Sequence, residues 1–355
     1  MGSEADGQWL RWPIGLGATA HPPICLPPVK SPCTPRRVFL FWRVLINLVP
    51  EFLAVLDAAD REAAYRHYFE SHKPFLSAYW QNYVLDPESP TAHDVVLRAL
   101  SADRSDLRAL LSTVDVVPVV EEALARAEDL LGVDRPTDCY LMVGMGAANA
   151  GELVIGGRGV IFICLEHFTG RANPDTYGLG MSPDLIPVWV GHEIAHTVRY
   201  TSLGSASELR RLVADAGGYY DSWETGSRAT LREHLVNEGL AVHASQAVAP
   251  GFRMSDYLGY VRRQYNRLRE LEAFLGRAIA PYLDQAGLGL RLRYMSGGMS
   301  AAARLVQGKV IPERSGYYLG WRMTEALVNE RGLPGALRAG VEEFKAAEEA
   351  ARGVA

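Results

Sequence analysis

Pro187-Val188-Trp189-Val190-Gly191-His192-Glu193-Ile194-Ala195-His196 is the run on which the reading of this chain turns. A proline near its start suits the first turn of a helix, and Ser182-Pro183 just upstream offers a second start signal. Leu185, Val188 and Trp189 fall onto or near the face that carries the two histidines. On a helix His192 and His196 project one turn apart from that face. Two imidazoles so placed can grip Zn²⁺, and Glu193 beside them can handle the proton of an activated water. The expected cofactor is therefore Zn²⁺, with His192 and His196 as ligands and Glu193 as general base.

Catalytic zinc commonly takes a third protein ligand and leaves a position for water. Leu231-Arg232-Glu233-His234-Leu235-Val236-Asn237-Glu238-Gly239-Leu240-Ala241-Val242-His243 is helical in pattern and supplies Glu233, His234, Glu238 and His243 as candidates. Glu238 is preferred because Gly239 and Ala241 beside it let another helix approach closely. His234, one turn earlier, faces the same side and stands as an alternative ligand or a hydrogen-bond donor to substrate. His243 is poorly phased with Glu238 and suits a supporting role behind a ligand.

His192-Glu193-x-x-His196 followed after a long insert by Asn237-Glu238-Gly239-Leu240-Ala241 resembles the gluzincin zinc metallopeptidases. More narrowly, it is similar to a bacterial family of predicted Zn-dependent proteases with a late Glu-Gly-Leu-Ala element. The resemblance spans about residues 137 to 330 and implies His192, His196 and Glu238 as the zinc ligands, with Glu193 as base. It also implies that Gly316-Tyr317-Tyr318-Leu319-Gly320-Trp321-Arg322 returns to the active site, where a phenol can donate to the developing oxyanion. Tyr318 is placed ahead of Tyr317 because it shares a helix face with Arg322. In gluzincin-like peptidases an edge strand binds an extended substrate by antiparallel pairing, and Val160 to Leu165 with Glu166-His167 is the expected counterpart. Glu166 and His167 can alternatively influence substrate choice near the cleft.

The surrounding chain fits an α+β fold, mostly helical, with a small β-sheet beside the motif helix, in the manner of a zincin. Residues 1–36 read as a Pro/Gly-rich leader, 37–133 as a helical lobe and 134–350 as the catalytic region. Cys139-Tyr140-Leu141-Met142-Val143 and Gly159 to Cys164 carry the strand signal. Helical patterns return at about 187–200, 206–217, 229–247, 256–285, 317–330 and 334–350.

Composition narrows the function further. With 36 basic against 41 acidic residues and a net charge of -5, no basic surface for nucleic acid is expected. Val38 to Val49 is too short to cross a membrane and carries Arg43, so it reads as a buried or amphipathic segment. Four cysteines without a CxxC pair, and no secretory pattern at the start, fit a reducing cytoplasmic location, with Cys25 and Cys33 in the leader as the remaining pairing option.

Met142 to Gly151 echoes a dinucleotide loop, but Glu152-Leu153-Val154-Ile155 points to a strand or turn where the fingerprint needs a helix. The expected function is a zinc-dependent hydrolase, most simply a peptidase acting on peptide or protein. A silent zinc-binding interaction protein and a zinc hydrolase of non-peptide amides are the alternatives. Oligomeric state has no signature in the sequence.

Overall fold

A computed structural model describes residues 43–146 and 148–353. Cys25, Cys33, the leader and the first part of Val38 to Val49 lie outside the described residues.

Four strands form the main sheet: β1 (Arg43–Asn47), β2 (Thr137–Met142), β3 (Ala150–Ile155) and β4 (Arg158–Cys164). Their order is β1-β2-β4-β3, with β1, β2 and β4 parallel and β3 antiparallel to β4 across a Gly156-Gly157 turn. Parallel neighbours need a long crossover, and the six α-helices between residues 49 and 131 provide it by joining β1 to β2. The apolar part of Val38 to Val49 therefore ends in a sheet-edge strand, a role its short length concealed.

Apolar residues run almost unbroken along β4 because it is covered on both faces. That position corrects the expectation for Val160 to Leu165: β4 is internal, and β3 is the sheet edge on that side. Its polar continuation is also interior. Glu166 accepts from the Gly144 amide at 2.7 Å, His167 donates through Nε2 to the Gly146 carbonyl at 3.2 Å, and both are fully buried. The fold is α+β and mostly helical, as expected.

The motif helix, Ile186–Thr201, begins after a 3-10 turn capped by Ser182, with Pro187 in its first turn, so both start signals are used. Every residue from Val188 to Tyr200 is buried, which explains its apolar composition on all sides. It packs against β3 and β4 on one side and against Leu231–Val248, the glutamate helix, on another. One apolar cluster joins the N-terminal helices, the sheet and Ile194, while a second gathers Val188 with the C-terminal helices. The motif helix thus stands where two cores meet. Among the described residues no helix is long and apolar enough to cross a membrane.

The glutamate helix starts at Thr230, whose hydroxyl accepts from the Glu233 amide at 3.3 Å. It crosses the tyrosine helix, Ser315–Arg338, at Gly239 and Gly320, where a Cβ on either residue would run into the opposing backbone. This confirms the close approach expected of Gly239. Gly320→Ala should lower stability by about 1–3 kcal/mol through overpacking, because the obstruction is backbone and cannot rotate away. Urea unfolding measures it, and an unchanged midpoint would contradict the crossing.

Candidate metal centre

His192 and His196 present Nε2 atoms to a single oxygen, Glu238 Oε2, at 3.2 and 3.6 Å. Their rings lie 4.9 Å apart at an interplanar angle of 81°. The three donor atoms fall within 4.8 Å of one another, so His192, His196 and Glu238 form a group able to hold a metal ion. Glu238 is 17% exposed at its side chain while the histidines are almost wholly buried, so among the three it is the glutamate that meets solvent.

The donor set fits zinc. Burial, helped by the nearby Arg314 charge, pushes His192 down to about 3, so its imidazole is neutral and has a lone pair to give. Both Nδ1 atoms are buried without a hydrogen-bond partner among the described residues. The carboxylate supplies the anionic donor, and its own acidity is weakened by burial, with His196 opposing that shift.

Glu193 is buried, and desolvation followed by the neighbouring carboxylates of Glu152 and Glu238 holds its carboxyl well above the usual range. A base so raised is stronger than a solvated carboxylate.

Glu152 is a site residue that sequence reasoning missed. It sits on β3, and one of its oxygens lies within 4.8 Å of donor atoms on Glu193 and His196. Tyr83 donates to its Oε2 and Tyr200 to its Oε1, each at 2.9 Å, and Asn237 Nδ2 donates in turn to the Tyr200 hydroxyl at 2.9 Å. Tyr200, one turn after His196, also stacks near it with centroids 6.1 Å apart. The available signal was a carboxylate two residues before the buried Val154, hence on the same strand face.

The tyrosine element is divided by geometry. Tyr317 lies parallel to the His192 ring, with centroids 6.2 Å apart and an 11° tilt, and the Arg314 guanidinium lies over the Tyr317 ring at 4.2 Å from its centre. Burial and the Glu238 charge raise the Tyr317 phenol, keeping it a donor. Tyr318 points elsewhere: its hydroxyl donates to Glu272 Oε2 at 2.6 Å. Arg322 joins it there, donating to Glu272 Oε1 at 3.1 Å and to Glu325 at 2.6 Å. Tyr318 and Arg322 do share a face, as their spacing required, but that face packs on the helix Arg262–Ile279 rather than on the metal group. Residue 317, about 100° around the helix, is the one turned inward.

His234 also has a different task. Its Nε2 donates to the Gly226 carbonyl at 2.7 Å, while burial and Arg291 push it down to about 3. That Nε2–H is no free donor to substrate, and among the described residues His234 belongs to no group of converging donor atoms able to hold a metal. His243 donates to the Trp321 carbonyl at 3.1 Å, and Glu233 pairs with Arg199 in the core.

Residues 219–342 match the model of a family described as Predicted Zn-dependent protease (DUF2268). No curated protein and no solved structure matches the chain. The matched stretch carries Glu238, Arg314 and Tyr317 and begins after the two histidines. It agrees with the resemblance found in the sequence and with Zn²⁺ as the cofactor.

Proposed function

We propose that this chain is a zinc-dependent peptidase with a gluzincin-type centre on a zincin-like core. The observation that carries the proposal is the convergence of His192 Nε2, His196 Nε2 and Glu238 Oε2, with Glu193 on the same helix beside them. A zinc ion held there supplies Lewis acidity toward a water molecule and a carbonyl oxygen.

Glu193 takes the proton of the attacking water on its carboxylate and returns it to the leaving amine. Tyr317 donates its phenolic proton in a hydrogen bond to the oxyanion of the tetrahedral species. Arg314, stacked over Tyr317, holds that ring in place and adds positive charge on the same side. Glu152 stands behind Glu193 and His196, fixed by two tyrosines, and keeps the base from swinging away. Peptide or protein is the substrate class that the family description favours.

Stripping zinc with a chelator should abolish cleavage of a mixed peptide library, and adding zinc back should restore it. Cleavage that survives complete metal removal would overturn the proposal. The two tyrosines separate cleanly. Tyr317→Phe should lower kcat by about 10²–10³ with zinc retained, the usual effect of deleting one oxyanion donor. Tyr318→Phe should leave kcat within a few fold, because it loses only a bond to Glu272, and equal losses in the two variants would reverse the assignment.

A further inference from the structure

We propose that the segment Gly217–Ser222 is an autoinhibitory strap, lying along the free edge of β3 where an extended polypeptide would pair. The inference rests on the peptidase reading for its consequence but on main-chain geometry for its existence.

A sheet edge offers its outward amides and carbonyls to an incoming strand. On β3 these outward groups belong to Ala150, Glu152 and Val154, and the chain itself engages the Val154 carbonyl and both groups of Glu152. The Tyr220 amide donates to the Val154 carbonyl at 3.2 Å, and the Gly157 amide donates to the Gly218 carbonyl at 2.8 Å. As residue numbers rise along β3 toward Gly157 they fall along the segment from 220 to 218, so the two run antiparallel. At Glu152 the Tyr83 hydroxyl accepts from the amide at 3.0 Å and shares its one proton between the carbonyl and Oε2, each at 2.9 Å. Both outward groups of the residue nearest Glu193 are thereby closed to a ligand backbone.

Beyond Tyr220 the segment is fastened to the π-helical turn Trp80–Val84. The Ser222 amide donates to Asn82 Oδ1 at 2.6 Å, the Ser222 hydroxyl donates to the Asn82 carbonyl at 3.3 Å, and Gln81 Nε2 donates to Asp221 at 3.1 Å. Arg291 donates to the Ser222 carbonyl. Tyr220 fills the space beneath by stacking on Tyr200 at 4.9 Å. On the outer side Tyr219 and Trp223 are 43% and 51% exposed, large aromatic surfaces left in solvent. The strap is thus held by a short set of polar bonds and one buried ring, whereas β3 itself is paired along its whole length with β4.

Admission of an extended substrate requires the strap to lift and Tyr83 to turn from Glu152. Segments held by few bonds open locally without unfolding the sheet. Hydrogen exchange on the zinc-loaded full chain should show the Tyr220 and Ser222 amides exchanging at least about 100-fold faster than the Ile161 and Phe162 amides. Exchange of all four at one rate would overturn the strap.

The functional arm uses Gln81→Cys with Asp221→Cys in a Cys25→Ser/Cys33→Ser background, bridged by a reducible bismaleimide; Cys139 and Cys164 are buried. With unstructured β-casein as probe, the bridge should reduce cleavage at least tenfold at unchanged zinc content, and reduction should restore it. A bridged protein that cuts at the unbridged rate would also overturn the proposal. Should no form cleave β-casein, the peptidase reading loses its support while the exchange rates still decide the strap.

Discussion

Glu193→Gln should reduce peptide cleavage by roughly a thousandfold while leaving zinc content unchanged. Glutamine keeps the size and shape of the side chain but cannot accept the proton of the attacking water. The proposed zinc ligands are His192, His196 and Glu238, none of which is altered. The substitution also removes a buried carboxyl that desolvation, and then the charges of Glu152 and Glu238, hold well above its usual range in the folded chain. Thermal stability should therefore be unchanged or higher, which separates loss of a base from loss of structure. Cleavage that persists in the variant would remove Glu193 from the mechanism.

The second large effect concerns the frame rather than the chemistry. Arg199 Nη2 lies 2.5 Å from Glu233 Oε1, and both side chains are fully buried. Arg199 also donates to the carbonyls of Leu337 and Ala339 at 3.3 Å each, so one guanidinium joins the motif helix, the glutamate helix and the C-terminal region. Arg199→Met should cost about 3–5 kcal/mol, because it strands a buried carboxylate without its counter-charge. The melting temperature should fall by on the order of 10 °C. Arg322→Ala, which breaks the half-exposed pair with Glu272, should cost under about 1 kcal/mol. Equal losses in the two variants would contradict the ranking by burial.

Much of the centre was legible because a helix repeats every 3.6 residues. That periodicity put His192 and His196 on one face and brought Glu238 forward with Gly239, and the structure places all three donors together. The same periodicity misled at the tyrosines. It correctly paired Tyr318 with Arg322, but it holds no information on which face of the tyrosine helix meets the glutamate helix. The Gly239–Gly320 crossing decides that, and it turns Tyr317 inward.

The strands at 139–143 and 159–164 lie where the sequence puts them, and only the edge role failed, for a related reason. A continuous apolar run such as Val160 to Leu165 marks a strand covered on both faces, which is an interior position and not an edge. The edge fell to β3, whose Glu152 breaks the apolar run and marks the side that meets Glu193. Arg43–Asn47 was lost in a short apolar stretch, since its partner β2 lies far along the chain. That pairing, like the shorter-range bond from His234 to Gly226, depends on tertiary packing and leaves no local pattern.

The most direct test is elemental analysis of the purified chain and of three variants. The expected result is about one zinc per chain in the unaltered protein and in Glu193→Gln, and well under a tenth of that in His192→Ala and His196→Ala, since two remaining protein ligands hold zinc poorly. A chain that carries no zinc, or one that keeps it fully after loss of His192, would contradict the metal centre proposed here.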